Sequence, residues 1–173
     1  VTTTGSNVTI GRAANGVIDQ ASNPTGNVTV TETMNGAGFG RTVTIDGGKD
    51  VTVNAKGQNV NIGTSVASAP TGAVVVNQAD IFTGNANAVL NGTNAGNVTV
   101  RGGTDVTINT TGGNVAVGGV VGGVNTVPSG AVKVTNTFGG VGADTVAVQG
   151  GTTVDITTTK TSGAITVGAN SAA

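Results

Sequence analysis

The chain has no cysteine, histidine, tryptophan or tyrosine, and only 3 phenylalanines in 173 residues. Without thiols there are no disulfides and no thiolate nucleophile. Without imidazole as well, zinc, copper and haem lose their usual ligands, and a serine or threonine nucleophile loses its usual base. Charge is also sparse. Seven basic and 8 acidic residues give a net charge of -1, and charged residues make up 9% of the chain. That is too little and too scattered for an electrostatic footprint on nucleic acid or an anionic membrane surface. With 36% apolar residues, the chain is not a disordered polyelectrolyte either. No apolar run approaches the roughly 20 residues that cross a bilayer, so no membrane insertion is expected, and no secretion signal is read at the start.

What the sequence has is a phrase that recurs three times. It reads Val-x-(Val/Ile)-x-Gly-Gly-x-x-Val-x-(Val/Ile), then after a polar stretch (Val/Ile)-x-(Val/Ile)-Gly. The copies start at Val43, Val98 and Val146, with glycine pairs at Gly47-Gly48, Gly102-Gly103 and Gly150-Gly151. Apolar residues spaced by two share one face of a pleated strand, and the residue between them is usually Thr, which suits the other face. No segment carries the i, i+3, i+4, i+7 spacing of an amphipathic helix. The chain reads as all-β.

Strand starts lie eight or nine residues apart, which fits either a parallel β-solenoid or antiparallel β-sandwich-like repeats hairpinned at the glycine pairs. The near absence of aromatics and the Val/Ile character of the core positions favour the solenoid, because β-branched residues stack in columns. Coils of about 24 residues with about three sides are expected, two coils per unit. Candidate inward residues include Val43, Val51, Val60, Val98, Val106 and Val115. Units of about 1–24, 25–70, 71–128 and 129–173 are marked by Pro24, Pro70 and Pro128, which lack the amide a ladder needs and so mark corners. The unit ending at Pro128 is longer, and the run Gly118 to Val124 is the expected insertion. The chain opens and closes in mid-phrase, which reads as one repetitive segment of a longer rod, or as a subunit that assembles end to end.

Candidate sites are few. Gly139 to Ala147 fits one calcium-binding nonapeptide, but such sites need tandem copies, and the matching loop of the first unit has Arg41 at the aspartate position. A glycine-rich corner is expected there, and no metal or other cofactor. Asp46 and Asp50 are the closest acid pair, but they flank a glycine turn, where aspartate is a common turn former. No catalytic residue is assigned. Asn7, Asn27, Asn91, Asn97 and Asn109 occupy Asn-x-Ser/Thr sequons. The most suggestive surface feature is a set of outward threonines, Thr29, Thr44, Thr52, Thr99 and Thr107. It is a candidate ligand face for ice or polysaccharide, although Ala116, Ala147 and Asp155 interrupt it.

The Val-Thr-Val phrases, Gly-Gly corners and low-aromatic, cysteine-free composition resemble the filamentous-haemagglutinin-like adhesins of two-partner secretion, a family that includes biofilm-matrix adhesins. The resemblance covers most of the chain, is architectural, and carries over no functional residue. It implies an extracellular or cell-surface β-helical rod without catalytic activity that supports cell–cell, cell–surface or biofilm attachment. Its implied partners are exopolysaccharide or other copies of itself.

Overall fold

The computed structural model describes residues 1–12, 20–33, 41–79, 96–137, 144–159 and 163–168. Each Val-x-Val phrase is a short strand, and successive strands alternate between two parallel sheets. One sheet holds β1 (Thr2–Thr4), β3 (Val28–Thr33), β5 (Val51–Lys56), β7 (Val74–Ala79), β9 (Val106–Thr110), β13 (Ala131–Thr137) and β15 (Thr153–Thr159), in that spatial order. The other holds β2 (Val8–Ile10), β4 (Thr42–Ile45), β6 (Asn59–Ile62), β8 (Val98–Val100), β10 (Val115–Val117), β14 (Val146–Val148) and β16 (Ile165–Val167). Every pairing within these two sheets is parallel. The molecule is a parallel β-solenoid of stacked coils, and the antiparallel sandwich is excluded.

Register is what makes the core. Val28, Val51 and Val74 stand side by side on successive coils, followed by Val106, Val132 and Val154. In the facing sheet, Val43, Val60, Val98, Val115 and Val146 form the matching column. All six expected inward residues are at most 1% exposed. Side chains alternate with a period of two, so a one-residue slip on any coil would turn its valines to water. Each fully buried valine contributes on the order of 1.5–3 kcal/mol.

The coils are two strands closed by a corner, in place of the three sides read from the sequence. Neighbouring strands are 23 residues apart from β3 to β5 and from β5 to β7. The spacing grows to 32 residues from β7 to β9 and 26 from β9 to β13. The extra length therefore has two sources. Residues 118–126 form a small antiparallel hairpin, β11 (Val120–Val121) and β12 (Val124–Asn125), turned at Gly122-Gly123. The larger share falls between β7 and β8, where 80–95 lie outside the described residues.

Corners alternate between a tight glycine pair and a longer proline segment, and each stacks on the other. Gly48 donates to the Pro24 carbonyl, Gly103 to Pro70 and Gly151 to Pro128. Both glycines of each pair have φ between +77 and +100, a conformation costly for any residue with a Cβ. The first glycine also has no room for one. A methyl on Gly47 would meet Asn23 Cβ at 2.7 Å, on Gly102 Ala69 Cβ at 2.5 Å, and on Gly150 Val127 Cβ at 2.4 Å. The repeated Gly-Gly is thus a stacking requirement of the coil and makes no hairpin.

Candidate functional site

The five candidate ligand-face threonines do not share one face. Thr29, Thr52 and Thr107 lie on the β3–β5–β7–β9 sheet in one column with Val75, Lys133 and Asp155. Thr44 and Thr99 lie on the other sheet, in a column with Thr9, Asn61, Ala116, Ala147 and Thr166. The even spacing in sequence conceals this split, because consecutive strands belong to different sheets.

Two residues further along these strands from Thr52 and Thr107, the same outward face carries stacked amides. Asn77 Nδ2 donates to Asn54 Oδ1 at 3.0 Å, and Asn109 Nδ2 donates to Asn77 Oδ1 at 2.9 Å. Identical side chains in register hand one hydrogen bond to the next, as parallel stacking allows. These three asparagines and Thr135 line a groove of about 520 Å³ at the ends of β5, β7, β9 and β13, which the buried Ala55, Gln78 and Thr110 also line. A second asparagine ladder sits where the other sheet begins. Asn59 Oδ1 accepts from the Asn97 amide, Asn97 Oδ1 from the Asn114 amide, and Asn114 Oδ1 from the amide and hydroxyl of Thr145. Of the sequon asparagines, Asn97 and Asn109 belong to these ladders, Asn7 and Asn27 accept from the backbone of the next coil, and Asn91 lies outside the described residues.

The acid pair is divided by its surroundings. Asp50 is a corner residue: its Oδ1 accepts the Ala73 amide at 3.0 Å, and Asp105 repeats this on Ala131 at 2.7 Å. Asp46 is different and was not anticipated. It is fully buried, and Oδ1 accepts from the Thr64 amide at 2.8 Å, the Thr64 hydroxyl at 2.6 Å and the Ser68 hydroxyl at 2.7 Å. Oδ2 receives Arg12 Nε at 2.7 Å, and Arg12 also donates to Thr64 Oγ1. Burial pushes the carboxyl pKa up, but the Thr64 and Ser68 hydroxyls, the Thr64 amide and Arg12 outweigh it and hold the pKa below the ordinary value. A carboxylate so held stays ionised near neutral pH. It ties three coils together.

A second polar cluster runs inside the coil where the chain leaves the β3–β5–β7 sheet. Glu32 Oε1 accepts from the Ser6 amide at 3.1 Å and from Gln58 Nε2 at 3.4 Å, and Gln58 Oε1 accepts the Lys56 amide at 2.8 Å. Gln78 Nε2 donates to the Gln58 carbonyl at 2.9 Å, and the Thr110 hydroxyl lies 2.6 Å from Gln78 Oε1. These side chains replace water at turning backbone groups. Glu32, Gln78 and Thr110 hold the third inward position of β3, β7 and β9, after two β-branched apolar residues, whereas β5 has Ala55 there and Gln58 follows the strand. Of the calcium-like run, 139–143 lie outside the described residues. Asp144 is buried, accepts the Gly113 amide at 3.1 Å, and has its pKa raised by burial against that bond. Among the described residues no three acidic groups gather at one point, and no helix is long and apolar enough to cross a membrane.

Compared with known proteins, the chain matches no family model, no curated protein and no solved structure.

Proposed function

We propose that the chain is a structural stalk segment of an extracellular bacterial adhesin or matrix filament, supporting cell–cell, cell–surface or biofilm attachment without catalysis. The observation that carries this reading is the uninterrupted register: the same inward valine and isoleucine columns pass from β2 to β16 through every coil. Such a stack adds about 4.8 Å per coil and presents a long face in place of a single pocket. The outer Thr and Asn columns suit a hydrated surface outside the cell. The test is display of the chain on a bacterium that does not otherwise attach. Attachment to cells or to a matrix-coated surface should exceed that of cells displaying an unfolded Val106→Asp variant. Equal attachment by the two would contradict the reading.

A ligand-binding role is the second reading, and the groove over Asn54, Asn77 and Asn109 favours it. Amides repeating at the coil spacing offer a linear polysaccharide a repeating set of donors and acceptors. Isothermal titration with exopolysaccharide fragments, compared with an Asn77→Leu variant, tests it; equal binding by both proteins would exclude this groove. Ice is the rival ligand for the Thr columns, read by inhibition of ice recrystallisation.

A further inference from the structure

Directly after each strand of the β2–β4–β6 sheet comes one residue whose amide continues the ladder to the preceding coil. Asp46 donates to the Ile10 carbonyl, Gly63 to Ile45, Arg101 to Ile62, Gly118 to Val100 and Gln149 to Val117. Glycine alternates along this column with Asp46, Arg101 and Gln149 because there is no space for two side chains in succession. A Cβ on Gly63 would strike the Arg101 carbonyl oxygen at 2.4 Å, and one on Gly118 the Gln149 oxygen at 2.4 Å. Asp46 and Arg101 thus hold equivalent places, each just before a tight glycine pair, but they are met differently. The corner of the coil after Asp46 turns the Thr64 and Ser68 hydroxyls onto its carboxylate, and Arg12 from the coil before it completes an ion pair. The aligned corners at Pro70 and Pro128 make Gly119 and Thr126 the counterparts of Thr64 and Ser68 beside Arg101. Gly119 brings no side chain, and the Thr126 hydroxyl turns to the Val124 carbonyl at 3.5 Å. Among the described residues no carboxylate pairs with Arg101, and its Nε is buried without a hydrogen-bond partner. There is room on that side of it: among the described residues, beyond its own chain neighbours, a Cβ on Gly119 would meet nothing closer than Arg101 Nε at 3.8 Å.

We infer that Arg101 is the centre of an anion-binding site that takes a carboxylate or sulfate group. A guanidinium presents its donors in a planar fork that matches two oxygens of such a group. At Asp46 the chain supplies both halves of the pair; at Arg101 it supplies the cation alone. An N–H taken out of water and left without an acceptor destabilises the fold until an acceptor arrives. Bound side-on, an oxyanion gives one oxygen to Nε on the Gly119 side and the other to a terminal nitrogen, which the half-buried Arg101 keeps within reach of solvent. The site lies at the base of the β11–β12 hairpin, where the Thr126 amide donates to the Gly119 carbonyl. The hairpin thereby takes the place of the corner that, one unit earlier, carries the hydroxyls for Asp46.

The inference is independent of the stalk and groove readings, and its test uses neither attachment nor Asn77. The chain's arginines are Arg12, Arg41 and Arg101, so its side-chain Nε–H signals in a proton–nitrogen correlation spectrum are few and assignable. The 173-residue chain is titrated with sodium acetate or sodium sulfate, against sodium chloride of equal ionic strength. The Arg101 signal should shift saturably at millimolar anion, while that of Arg12, already on Asp46, should not move. A galacturonate trimer that saturates the shift at lower concentration than acetate identifies the carboxylates of an acidic polysaccharide as the source. Saturation by acetate or sulfate but not by the trimer identifies the free ion. Arg101→Gln should lose the rise in melting temperature that the anion gives the wild-type chain. Arg101→Lys, which keeps the charge without the fork, should retain only part of it. The spectrum is read on the wild-type chain, so this arm does not depend on the folding of either variant. An Arg101 signal that never saturates, one that chloride moves equally, or a rise in melting temperature that survives Arg101→Gln would overturn the inference.

Discussion

At the scale of single residues, the fold depends on which side of the strand a side chain occupies and on whether it has a Cβ. Val106 is 1% exposed and Thr107, its neighbour, points out. Val106→Asp places an unpaired charge in the core and should abolish the cooperative thermal transition, whereas Thr107→Asp should change stability by no more than about 0.5 kcal/mol. Gly47 combines φ of +90° with a blocked Cβ, so Gly47→Ala should cost more than Gly122→Ala, where φ is +56° and nothing lies within 4 Å. Denaturant melts of the two variants compare them directly. The buried aspartates predict opposite responses to acid. The folded pKa of Asp46 is depressed, so its stabilisation is present above the unfolded value of about 3.9 and is lost as pH falls through the folded value. Asp144 is raised, so its charged form burdens the fold at neutral pH, and the burden lifts as pH falls through the raised value toward about 3.9. Asp46→Asn should therefore remove part of the acid-induced loss of stability. Asp144→Asn, which keeps an acceptor for Gly113, should raise the neutral-pH melting temperature. The valines were legible in the sequence because period-two patterning reports burial. Asp46 was not, because its donors Arg12, Thr64 and Ser68 come from other coils, and only the register brings them together.

At the scale of elements, each strand is stabilised by the coil on either side of it, and the two kinds of corner lock by exchanging backbone hydrogen bonds. Protection should therefore follow position in the stack more than local sequence. Native-state hydrogen exchange should find the amides of β5, β6, β7 and β9 slowest, and those of β1 and β16 fastest, although β16 (Ile-Thr-Val) is as β-branched as the interior strands; uniform protection would contradict this. Strand content and the parallel arrangement were legible because Val/Ile columns and missing aromatics leave few other ways to fill a core. The split of the threonines between two sheets was hidden, since a coil with two strands and one with three give similar spacing along the chain. The hairpin at Val120–Asn125 was marked only by its glycines. Its two short strands lie outside the columns, so nothing in the period announced them.

At the scale of the whole molecule, the proposed stalk function resides in a stack whose units are interchangeable and whose length is adjustable. A protein with one irreplaceable site does not tolerate lengthening through its middle; a stalk does. Val28, Val51 and Val74 occupy the same column, so residues 28–73 are two complete coils, and a second copy of them can follow Ala73 without a shift of register. The most direct measurement is small-angle scattering of this lengthened chain, together with the attachment assay on displaying cells. The account predicts a folded protein longer by about 10 Å, two coils at about 4.8 Å each, with attachment equal to or above that of the original chain. A lengthened chain that folds and gains this length but no longer supports attachment would contradict the claim that the stack itself is the functional part.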